Sequence, residues 1–89
     1  MKFAEKVAQT LAGIGKMLIK KNEQYGDSAH RPVRMFSKLD PQAGIRVRID
    51  DKLSRLARGN DSIESDIDIV DDLIGYLIIL KIMMMEENE

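Results

Sequence analysis

Asp68 and Asp72 stand four residues apart in the segment 62–85. On a helix, side chains at this spacing point the same way, and two carboxylates so placed repel unless a cation bridges them. Hard divalent cations such as Mg²⁺ accept carboxylate and phosphate oxygens together. Glu64 and Asp71 border the pair and extend the set of oxygen donors. One chemistry open to the segment is therefore a Mg²⁺ site on Asp68 and Asp72. The other is structural, because acidic side chains early in a helix complement its dipole.

Candidate phosphate contacts come from Lys52, Arg55, Arg48, Arg31 and Arg34. The guanidinium offers a planar fork of donors that matches phosphate oxygens. Counted at 100° per residue, Arg48, Asp51, Lys52 and Arg55 form a stripe beside the apolar face of their helix. Such charges reach a site between helices or extend their heads to water. Tyr25, His30 and Phe36 are candidates either to stack on a base or to pack a loop. His30 is the sole histidine and there is no cysteine. The chain has no Ser/His/Asp set, no Walker-type glycine loop and no zinc pattern.

The charges are sorted along the chain. Residues 1–59 carry net +7 and residues 60–89 carry net −8, giving −1 overall. That balance argues against general nucleic-acid binding through net charge. It suits basic helices packed on an acidic one, or a pocket with cations on one wall and carboxylates on the other.

The elements that must position these residues are three helices. Phe3, Val7, Leu11, Ile14 and Leu18 recur every three or four residues, which predicts an amphipathic helix over about 2–22. Gly13 and Gly15 weaken that helix and leave room for a close backbone. Residues 23–40 read as a long loop, with turn chemistry at Tyr25-Gly26-Asp27-Ser28. Asp40-Pro41 reads as an N-cap and first helical residue. Ile45, Ile49, Leu53 and Leu56 then mark a second apolar face, ended by Gly59-Asn60. Asp61 and Glu64 read as a capping box opening the third helix. Its main apolar face is expected on Ile63, Ile67, Val70, Ile74 and Leu77, with Asp68, Asp72, Tyr76, Ile79 and Met83 opposite. One face can pack on the other two helices, and the second needs another subunit. The expected architecture is an all-α, three-helix protomer with a long loop between helices 1 and 2, assembled into an oligomeric helix bundle.

With 89 residues the chain is expected to be a single domain, 1–89, and marginal as a monomer. The longest apolar run, 73–85, is too short for the roughly 20 residues of a membrane span. The early charges at Lys2 and Glu5 do not fit a signal peptide. Together with the absence of cysteine, this leads us to expect a cytoplasmic protein, with no membrane partner.

Four stretches resemble a known family. These are Lys20-Lys21-Asn22-Glu23-Gln24-Tyr25-Gly26-Asp27-Ser28, Pro32-Val33-Arg34-Met35-Phe36-Ser37, the run 45–56 and the run 68–77. Together they span about 18–80 and resemble the nucleotide-modification-associated domain family of bacteriophages and prophages. That family looks like a distant relative of MazG-like nucleotide pyrophosphohydrolases. The resemblance implies an all-α homo-oligomer that handles a nucleotide, with Tyr25 and Asp27 among the nucleotide-binding residues. MazG-like enzymes hold Mg²⁺ on paired acidic motifs and split the α–β phosphate bond of a nucleoside triphosphate. The second motif maps onto Asp68 and Asp72. The first, a Glu-x-x-Glu on an earlier helix, has no counterpart here, and Glu23, Asp27 and Asp51 are its nearest substitutes. Two functions stay open: a Mg²⁺-dependent pyrophosphohydrolase, or a non-catalytic binder that sequesters a nucleotide signal in antidefence or assists DNA-base modification.

Overall fold

The computed structural model describes residues 1–32, 38, 40–59 and 64–89. Helix α1 spans Phe3–Gln24, α2 Pro41–Arg58 and α3 Asp66–Glu87, and no strand occurs among the described residues. The all-α expectation holds.

The helix boundaries follow local chemistry. Asp40 caps α2, its carboxylate accepting from the Gln42 amide at 3.1 Å, with Pro41 at the first helical position. Gly59 ends α2 at φ +75°, a conformation that glycine adopts without strain. Helix α3 starts later than expected. Asp61 lies outside the described residues and Glu64 is not helical; Ser65 is the N-cap, its Oγ accepting from the Asp68 amide at 3.2 Å. Asp66 and Asp68 therefore occupy the first turn, where carboxylates favour the dipole.

The core is mainly a hairpin of α2 and α3. Ile45 packs with Ile79, Leu80 and Met83, supported by Leu18, Ala29, Ile49 and Tyr76. Ile45 meets the end of α3 and Lys52 meets its first half, so the two helices run antiparallel. Helix α1 joins through its second half. Ile14 is buried, and Leu18 Cδ1 lies 3.4 Å from where a Cβ on Gly75 would stand. Gly75, not Gly13 or Gly15, is thus the glycine that admits a neighbour; among the described residues no other part of the fold comes within 4 Å of where a Cβ on either of those two would stand.

Three apolar faces differ from the sequence reading. Phe3 and Leu11 are 81% and 62% exposed, so the first turns of α1 leave the core. On α2, Leu53 points out and Lys52 takes its place facing α3, 13% exposed at the side chain. On α3 the faces are exchanged. Ile69, Leu73, Ile79, Leu80 and Met83 are buried, whereas Ile67, Val70 and Leu77 are exposed.

Candidate functional site

Where α1, α2 and α3 converge, a cleft of about 320 Å³ opens between their side chains. The end of α1 and the turn after it supply Lys21, Asn22, Tyr25 and Ser28; α2 supplies Arg48; α3 supplies Asp71, Asp72 and Tyr76. The spacing is helical on each element. Asp72 and Tyr76 are four apart and project from one side of α3, and Tyr25, the C-cap of α1, follows Lys21 by the same four residues.

Asp72 anchors the polar wall. Its Oδ2 pairs with Lys52 Nζ at 2.9 Å and its Oδ1 lies 3.7 Å from Lys21 Nζ. Lys52 also donates to Glu64 Oε1 at 3.0 Å, and Arg55 reaches Glu64 Oε2 at 3.2 Å and Asp51 at 3.1 Å. One ammonium thus joins two carboxylates beneath the cleft. Burial raises the Asp72 pKa, but the Lys52 hydrogen bond and charge, with the Lys21 charge, hold it below the ordinary carboxylate value. The hydrogen bond to Asp72 raises Lys52 against the opposing effect of burial.

Arg48 behaves differently. Its guanidinium carbon sits 5.8 Å from the centroid of the Tyr76 ring, within cation–π range. It is an arginine set over an aromatic face in the cleft lining, with no carboxylate at ion-pair distance among the described residues.

The turn after α1 is fixed by a second polar cluster. Gly26 and Asp27 both have positive φ, +60° and +62°. The Asp27 amide donates to the Asn22 carbonyl at 3.0 Å, and the Arg31 amide donates to the Asp27 carbonyl at 2.8 Å. Asn22 Nδ2 donates to Asp27 Oδ1 at 2.9 Å, while His30 pairs Nδ1 with Asp27 and Nε2 with Glu86. The Asn22 bond holds the Asp27 pKa below its ordinary value despite some burial, helped by His30 and Arg31. Burial opposes charge on His30, but Glu86 and Asp27 outweigh it and raise its pKa.

Of the residues named from sequence, Tyr25, Arg48, Asp71 and Asp72 line the cleft, and Lys52 supports it through Asp72. Asp68 is exposed in the first turn of α3 and is not part of the lining. Arg55 is engaged by Asp51 and Glu64, and Arg31 is 77% exposed at the side chain beside Asp27. Asp27 shapes the turn rather than the cleft. Arg34 and Phe36 lie outside the described residues. Lys21, Asn22 and Tyr76 join the site without having been singled out for it. The signal available was the four-residue spacing of Lys21 and Tyr25 at the end of α1.

Of the oxygen donors expected for Mg²⁺, those of Asp72 are already engaged. Both Asp72 oxygens already face ammonium groups, and among the described residues no three His, Cys, Asp or Glu side chains group as metal ligands. This arrangement does not fit a carboxylate cage for the ion. No helix among the described residues is long and apolar enough to cross a membrane. No family model, curated protein or solved structure matches the chain.

Proposed function

We propose that the cleft binds a phosphorylated nucleotide without transforming it, in a homo-oligomer of this chain. The observation that carries the reading is Arg48, an arginine without a carboxylate partner among the described residues, set over Tyr76 in the cleft lining. Its fork and the ammonium of Lys21 suit phosphate oxygens. Tyr25, 66% exposed in the cleft lining, offers a ring for a base, with Asn22 and Ser28 in the same lining as polar contacts. Lys52 does not reach for ligand in this reading; it neutralises Asp72, so the carboxylate does not repel an incoming anion. The resemblance to nucleotide-handling phage proteins supports the ligand class, and sequestration of a nucleotide signal is the role that such a binder fits.

The test is native mass spectrometry with nucleoside triphosphates and cyclic dinucleotides, with and without Mg²⁺, followed by chromatography of the released ligand. Intact ligand is expected, and Arg48→Ala should weaken binding by about 10- to 100-fold while helicity stays unchanged. Conversion to monophosphate and pyrophosphate only with Mg²⁺ would replace the binder by a pyrophosphohydrolase. No binding at millimolar nucleotide would remove the reading altogether.

A further inference from the structure

Helix α3 carries a second apolar stripe that its own chain leaves uncovered. Ile67, Val70, Ile74, Leu77, Lys81 and Met84 follow one another at intervals of three, four, three, four and three residues. This is the a/d spacing of a coiled-coil seam, with Lys81 as the single polar member. The stripe is exposed: Ile67 by 74%, Val70 by 40%, Leu77 by 51% and Met84 by 46%, with Ile74 half-buried. Asp72 and Ile79 occupy the opposite side of the helix, towards the cleft and core.

We infer that this stripe pairs with the same stripe of a second copy, the two α3 helices running antiparallel. The argument is charge complementarity combined with self-matching spacing. In the antiparallel register Ile67 meets Met84, Val70 meets Lys81 and Ile74 meets Leu77, each contact occurring twice about a two-fold axis. Lys81 of each copy then lies opposite Val70 of the other, with Asp66 and Asp71 on either side of that valine. Lys81, Asp66 and Asp71 have no ion-pair partner within the chain among the described residues, so the pairing would satisfy all three. A parallel arrangement would set Lys81 against Lys81 and gather the acidic first turns together, which costs stability. Asp71 also lines the cleft, so the second copy's Lys81 brings a cation to the rim of the site. The inference rests on the oligomer in the reading above, but not on its ligand.

The experiment is sedimentation velocity of the full chain, combined with cross-linking in its cysteine-free background. A dimer is expected, and Leu77→Glu, at a position open in the protomer, should yield a monomer with unchanged helicity. Lys81→Glu should weaken the dimer, and adding Asp66→Lys with Asp71→Lys should restore it. An oxidised mixture of Ile67→Cys and Met84→Cys chains should cross-link between the two variants and not within either. A monomeric wild type at about 100 µM, a dimer indifferent to Leu77→Glu, or cross-linking of Ile67→Cys to itself would each overturn the proposal. Loss of nucleotide binding with the antiparallel dimer intact would overturn only the ligand reading.

Discussion

Lys52 illustrates how one side chain can look like a ligand contact and act as a structural one. Its spacing in the sequence sets it beside the apolar face of α2 as a candidate contact to phosphate; in the fold it is nearly enclosed and joins Asp72 to Glu64. Lys52→Met keeps the stem but leaves two half-buried carboxylates without their shared cation. We expect a loss of about 1–3 kcal/mol, read from the urea midpoint, and an unchanged midpoint would contradict the pairing. His30 gives a pH signature. Its pKa is raised above the usual 6.5 on folding, so the Asp27–His30–Glu86 clasp contributes fully below that value and is lost as pH rises through the folded pKa. The carboxylates act in the opposite direction. Asp72 and Asp27 titrate below the usual 3.8 when folded, so their contribution is present above it and lost as pH falls. Comparing unfolding of the wild type and His30→Ala, the stability gap should be larger at pH 6 than at pH 8.5. A gap independent of pH would show that the clasp is not ionic.

At the scale of elements, the ends of α2 were legible because capping is local: Asp40, Pro41 and Gly59 act on backbone groups within three residues of themselves. Asp40→Ala should lower stability by about 1 kcal/mol. The start of α3 was misplaced because Asp61 and Ser65 both precede an acidic residue at capping-box distance, and the sequence supplies no means of ranking them. Gly13 sits in a helix interior with no neighbour near its Cβ position among the described residues. Gly13→Ala should therefore raise the melting temperature, by an amount equivalent to about 0.5–1 kcal/mol. A decrease would mean that something packs against that glycine after all.

The whole molecule is open for its length. Its radius of gyration is 14.6 Å, against roughly 12 Å for a compact chain of this size. The difference matches what the faces show: the first turns of α1 and one stripe of α3 stand outside the core. If the α3 stripe pairs as inferred above, association supplies part of the stability. The melting temperature should accordingly rise with protein concentration in the wild type and lose that dependence in Leu77→Glu. A concentration-independent melting temperature in the wild type would place all of the stability within one protomer.

The sequence by itself determined three helices, most of their boundaries and the sorting of basic and acidic halves. Periodicity, caps and charge all act over a few neighbouring residues and can be read without knowing what packs where. The tertiary structure alone decided which side of α3 is core, because that helix is apolar on both sides from 73 to 85, Lys81 excepted, and only the arrival of α1 and α2 distinguishes them. It likewise decided that Asp72 faces Lys52 and Lys21 while Asp68, one turn earlier, faces solvent. Those partners lie 20 and 51 residues away along the chain, and only the packing of the helices sets the distances between them.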